Sequence, residues 1–215
     1  MKPALVLKSF RLNPSTAIEL FVPDPLEVEK NFRAGMTVAP YWAKVWPSAI
    51  ALSQFLLDHP ELTRGKKVVE LAAGLGLPSV IASRTCRSVL CTDHIPEAVA
   101  VAKANAVLHD ASVMQCAVLD WHQLPETLSA EVLLLSDINY DPEQFPVLEK
   151  VLHRFLDMGT HILLSTPQRL AARSFIAPLL AYLQSGEERV VEEQGLPVSI
   201  SVLVLKGEES AISNQ

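Results

Sequence analysis

Glu70, Gly74, Gly76 and Asp93 are the residues of this chain whose types and spacing could serve a bound cofactor. Residues 66–76 read Lys-Lys-Val-Val-Glu-Leu-Ala-Ala-Gly-Leu-Gly, a short apolar run entering a small-residue turn. Leu77-Pro78-Ser79-Val80-Ile81-Ala82 then reads as the start of a helix. A strand, a tight turn and a helix N-terminus in this order make a nucleotide-type site at the carboxyl edge of a parallel sheet. Glycines let the backbone approach a ligand that a Cβ would push away. The helix N-terminus offers free N–H groups to an anionic group. The acidic Glu70 would repel a diphosphate and favour a cationic centre. The loop therefore favours a cofactor carrying both a carboxylate and a positive charge, and S-adenosylmethionine carries both. Ser79 stands where the dinucleotide fingerprint needs a third glycine, which disfavours NAD.

Acidic residues fall at or near the ends of four successive expected strands: Glu70, Asp93, Asp120 and Asp137. Such ends line the ligand crevice of an open α/β sheet. Asp93 follows the glycine loop by the spacing of a carboxylate that holds ribose hydroxyls. Asp120 could accept from an exocyclic amine, with the Trp121 indole stacking on the base. Asp at a strand-to-loop junction also caps helices and forms turns, and a Trp is often simply packed, so those readings stay open for Asp120 and Trp121. His94 and His122 adjoin this group and could edge the pocket. No histidine has metal-ligand spacing with another strong ligand, and no metal is expected.

These residues need a scaffold. Residues 68–72, 88–92, 113–118, 131–136 and 161–165 read as strands. Helices are expected from the first strand to about residue 85, then over 96–109, 143–156 and 170–184. A closing pair of strands is expected over 190–193 and 198–205. Alternating β and α elements imply a doubly wound, mostly parallel Rossmann-like sheet with helices on both faces and one antiparallel C-terminal strand. Residues 5–12 and 18–22, split by Asn13-Pro14-Ser15, suggest an N-terminal β-hairpin. Residues 23–40 read as a charged connecting loop. Residues 49–57 read as a helix entered through Pro47. A single domain is expected: extension 1–40, core 41–206, polar tail 207–215.

The chain has 215 residues, a net charge of −6 and 49% hydrophobic residues, enough for one substantial core. Its acidity argues against a surface for nucleic-acid backbones, though not against a basic protein or a lysine side chain. Cys86, Cys91 and Cys116 read as buried thiols of a reducing compartment. With no long apolar N-terminal segment and no membrane-length run, a cytoplasmic enzyme is expected.

Three stretches together resemble the class I, seven-β-strand methyltransferases that use S-adenosylmethionine, and within them the protein-lysine branch that includes the methyltransferase of the electron transfer flavoprotein β subunit. The first is Pro40-Tyr41-Trp42-Ala43-Lys44-Val45-Trp46-Pro47-Ser48, the second Val69 to Pro78 across the glycine loop, the third Ser136-Asp137-Ile138-Asn139-Tyr140. The resemblance covers roughly residues 38–165. It implies that Trp46 borders the cofactor and that Glu70 with Ala72, Ala73, Gly74 and Gly76 holds its methionine part. It implies Asp93 on the ribose, and Asp120 and Trp121 at the adenine. Ser136 and Asp137 would close the methionine end, with Asp137 and Tyr140 facing the acceptor amine as the catalytic pair. The family usually has Gly where this chain has Ala72, which is tolerable if the backbone there is in an ordinary region. The implied partner is a protein bearing the acceptor lysine. A small-molecule amine, a nucleobase, or a non-catalytic cofactor-binding module remain alternatives; Ile138-Asn139 lack the proline pair of nucleobase enzymes.

Overall fold

The computed structural model describes residues 4–35, 40–169 and 172–207. Among them, a seven-stranded sheet has the order β5-β4-β3-β6-β7-β9-β8. Its strands are β3 (Lys67–Leu71), β4 (Ser88–Asp93), β5 (Met114–Val118), β6 (Val132–Ser136), β7 (His161–Pro167), β8 (Leu183–Glu193) and β9 (Leu196–Lys206). The strands β3 to β7 pair in parallel, and β9 runs antiparallel between β7 and β8. This is the expected fold class.

The central strands are apolar on both faces, as a sheet covered twice must be. Val68, Val132 and Leu134 join a core with α2 (Pro47–Asp58), α3 (Leu77–Ala82) and α4 (Pro96–Leu108). Val69, Leu133 and Leu135 join the opposite core with α5 (Phe145–Asp157) and α6 (Arg173–Leu179). The chain leaves β3 toward β4 and leaves β6 toward β7, in opposite directions. The crevice between the tips of β3 and β6 is therefore the topological switch point of the sheet.

The expected hairpin is β1 (Leu5–Asn13) with β2 (Thr16–Pro23), a separate two-stranded sheet. It is fastened by Asn105 of α4, which is fully buried. Asn105 Oδ1 accepts from the Phe21 amide at 2.7 Å. Its Nδ2 donates to the carbonyls of Phe21 at 3.2 Å and Leu75 at 3.0 Å. One side chain thus ties the hairpin to the glycine loop.

Three expectations change. The segment 23–40 holds a helix, α1 (Pro25–Arg33), capped by the Asp24 carboxylate and opened by a first-turn proline. The helix after β3 ends at Ala82, short of residue 85. The expected helix 170–184 is formed by α6 and a 3-10 turn over Leu180–Tyr182, and only its end changes, since β8 begins at Leu183. Gln194 and Gly195, at φ 53° and 80°, turn β8 into β9, the positive-φ pair that a tight hairpin requires. The expected helix start at Leu170 and the tail from 208 onward lie outside the described residues.

Candidate active site

Where β3 ends, the backbone turns through left-handed conformations at Ala72 (φ 52°), Gly74 (φ 54°) and Gly76 (φ 78°) before α3 begins. A Cβ on Gly74 would lie 3.3 Å from the carbonyl oxygen of Trp42, because the strap 40–46 crosses the loop there. Ala72 does not sit in the ordinary region that would make its methyl group innocuous; it bears the strain that glycine would avoid.

Asp93, at the tip of β4, is buried and braces this turn. Its Oδ2 accepts from the Gly74 amide and its Oδ1 from the Ile95 amide, both at 2.9 Å. Burial raises its pKa above the usual carboxylate range, opposed by those two amides. His94 Nδ1 lies 3.5 Å from Asp93 Oδ1.

Glu70 lies behind the loop and does not line the cavity. It is fully buried, and its Oε2 accepts from both the amide and the hydroxyl of Ser79 in the first turn of α3. One of the N–H groups expected to face an anionic ligand is thus taken by the protein itself. Burial pushes the Glu70 carboxyl up to about 8, so it is mostly protonated at neutral pH. Gly76 also faces inward: a Cβ there would come within 3.2 Å of Ala102, Cys91 and Met114.

The opposite wall is the tip of β6. Asp137 adopts φ 55° and its amide donates to the Ser165 carbonyl at 3.0 Å. Arg169, just past β7, grips its carboxylate twice, Nη1 to Oδ1 at 2.8 Å and Nη2 to Oδ2 at 3.3 Å. Burial raises the Asp137 pKa, and the Arg169 charge opposes it. Tyr140 is half-exposed, its ring 5.5 Å from that of Tyr41. Tyr41 in turn lies 6.3 Å from the Trp46 ring, and its carbonyl accepts from the Trp46 indole at 2.7 Å.

These walls enclose one cavity of about 480 Å³. Of the residues expected from sequence, Trp46, Ala72, Ala73, Gly74, Asp93, His94, Trp121, Ser136, Asp137 and Tyr140 line it. Asp120 does not; its carboxylate accepts from the His122 amide at 2.9 Å and caps a short turn. Trp121 donates to Gln144 at 3.4 Å, and His122 shares that same oxygen at 2.8 Å. Tyr41, Lys44 and Arg169 line the cavity without having been singled out as site residues. Lys44 lies within the Trp-Pro stretch, where its charge was a usable signal. Arg169 carries none, since only the fold brings it to Asp137. Among the described residues, no group of three or more His, Cys, Asp or Glu converges as a metal would require.

A seven-stranded sheet of this order, with a glycine turn and strand-tip carboxylates around one crevice, defines a Rossmann-like methyltransferase fold. An N-methyltransferase from Bradyrhizobium japonicum, solved with S-adenosyl-L-homocysteine, superposes with a TM-score of 0.58 at 13% identity, over 82% of this chain and 97% of that one. Residues 25–180 match the lysine methyltransferase family, and the chain belongs to it. It is 31% identical over 170 residues to the electron transfer flavoprotein beta subunit lysine methyltransferase of Danio rerio, covering 76% of this chain and 64% of that protein. It is 29% identical over 136 residues to a histone-arginine methyltransferase of Rattus norvegicus, covering 60% of this chain and 56% of that one. The chain thus spans less than two thirds of the length of these curated relatives.

Proposed function

We propose that this chain is an enzyme that transfers the methyl group of S-adenosylmethionine to a lysine side chain of a protein. The observation that carries the reading is the convergence of Gly74, Asp93 and Asp137 on one cavity at the switch point. Family membership and the lysine methyltransferases among its relatives support it. The cavity volume is of the right order for a cofactor of this size. S-adenosylmethionine supplies an activated methyl group on a cationic sulfur.

The chain's own residues have these roles. The Asp93 carboxylate holds the ribose hydroxyls, since each of its oxygens keeps a second lone pair beyond its amide bond. The cavity-lining backbone of residues 72–74 follows the methionine part, and Ser136 closes that end. Trp121 flanks the adenine, with Asp120 holding its turn in shape. Glu70 and Gly76 act from behind by fixing the loop. Asp137 draws the acceptor ammonium in, while Trp46 and Tyr140 wall its aliphatic stem. A lysine amine, with a reference pKa of about 10.4, must lose a proton before it can attack. Burial against a cationic sulfur favours that loss. Alignment by the cavity walls supplies the remaining advantage.

The net charge of −6 suits a basic protein substrate better than a nucleic acid. We read the chain as one domain working in the cytoplasm; no helix among the described residues is long and apolar enough to cross a membrane. A second reading, an arginine acceptor, draws on the guanidinium already seated on Asp137 and on the arginine methyltransferase relative. The test is incubation of the purified chain with methyl-labelled S-adenosylmethionine and cell extract. Label in a discrete protein band, located on lysine by mass spectrometry, is expected. Label on arginine favours the second reading, and label only in small molecules contradicts both.

A further inference from the structure

Lys44 stands in the crevice itself. Its Nζ lies 3.7 Å from the centroid of the Trp46 ring and 2.6 Å from Glu193 Oε1 at the end of β8. It lines the same cavity as Gly74 and Asp137, and its charge is felt at the Asp137 carboxylate. Tyr41 and Tyr140 continue the aromatic wall from Trp46. A lysine ammonium on an indole face, between a carboxylate and a run of aromatic rings, is in an environment that also suits a methylated ammonium. The ammonium group is carried on a flexible four-carbon stem, so it can turn within the cavity without backbone motion.

From this juxtaposition of Lys44, Trp46 and Glu193 in the cofactor cavity, we infer that Lys44 is a site of self-methylation, modified within its own chain. The inference rests on the methyl-transfer reading above. The Nζ of Lys44 gives up one proton to Glu193 Oε1, which passes it to solvent through the half-exposed side of the pair. Its lone pair then forms a bond to the methyl carbon as the carbon–sulfur bond breaks. That electron pair stays on sulfur, leaving a neutral thioether. The methylated nitrogen regains a positive charge and keeps its seat over Trp46. Full methylation removes every N–H that Glu193 could accept, so the ion pair weakens while the aromatic contact persists.

The test uses the full chain and S-adenosylmethionine with a deuterated methyl group, followed by peptide mass spectrometry. Heavy methyl on Lys44 is expected, in a fraction at fixed time that is unchanged by tenfold dilution. Its loss in Asp137→Asn excludes transfer by a co-purified methyltransferase. A second readout needs no turnover. S-adenosylhomocysteine filling the cavity should slow acylation of Lys44 by an amine-reactive ester several-fold, while the other exposed lysines, which lie outside the cavity, react as before. Calorimetry separates the two levels of the account. Cofactor binding with no methyl on Lys44, or with acylation of Lys44 unchanged, overturns the inference alone. A labelled fraction that rises with protein concentration overturns modification within the chain. Absence of cofactor binding overturns the methyl-transfer reading as well.

Discussion

Arg169 holds Asp137 in a two-pronged ion pair, Nη1 to Oδ1 at 2.8 Å and Nη2 to Oδ2 at 3.3 Å, inside the crevice where an acceptor amine would have to arrive. The carboxylate is 9% exposed and the guanidinium 40%. Burial alone would raise the acid's pKa, and the arginine is the largest opposing influence. Arg169 thus opposes the burial that favours the protonated form of Asp137.

Removing that cation has a signed consequence. Arg169→Ala lets burial raise the Asp137 pKa further, so the acid limb of a methyl-transfer pH profile moves to higher pH. The loss of turnover should be larger on the acid side of the profile than in alkali. Arg169→Lys, which keeps a charge without the fork, should fall between. Rates measured across pH decide it; a limb that stays in place removes Arg169 from the account.

Ala72 stores strain that a single substitution can release. At φ 52° its methyl group opposes the backbone, while glycine would adopt the conformation freely. Ala72→Gly should stabilise the fold by about 0.5–1 kcal/mol, or roughly 1–4 °C in Tm for a chain of this size. Gly74→Ala should do the reverse and push on the Trp42 carbonyl. Thermal denaturation of both variants checks the pair.

Glu70 makes stability fall as the solution becomes alkaline. Its folded pKa is raised from about 4.5 to about 8, so its contribution is full below about 4.5 and is lost as pH rises through about 8. Between pH 6 and 9 the loss should be about 2–3 kcal/mol. Glu70→Gln, a stand-in for the protonated acid, should remove that dependence while keeping an acceptor for Ser79. Urea midpoints at the two pH values measure it; parallel falls in both proteins would contradict the assignment.

Asn105 couples the hairpin to the site through three hydrogen bonds. Asn105→Ala leaves the amide and carbonyl of Phe21 and the carbonyl of Leu75 without those partners, a cost of about 2–4 kcal/mol. Hydrogen exchange should rise in β2 and at the glycine loop together. A rise in neither would mean that the hairpin is held by other contacts.

Much of the architecture is written in local pattern. The apolar runs of β3, β4, β6 and β7 are buried on both faces, and acidic or small residues mark their tips. What escaped detection lies where pattern is weak. The α1 helix buries no residue, so its apolar spacing carried little signal despite the Asp24 cap. β8 reads Leu-Gln-Ser-Gly-Glu-Glu-Arg-Val-Val-Glu-Glu, an edge strand whose charges guard its free side and hide its alternation. At the site, Asp93 and Asp137 were legible from position. The pairing of Asp137 with Arg169 and of Lys44 with Glu193 was not, because only tertiary folding sets those distances. Nor could the sequence report that Glu70 faces Ser79 and the protein interior.

The most direct test of the central claim is a crystal structure of the chain grown with S-adenosylhomocysteine. The ligand is expected in the crevice between β3 and β6, its ribose hydroxyls on Asp93 and its amino-acid end along residues 72–74. Ligand density elsewhere, or a crevice left empty at saturating ligand, would contradict that placement.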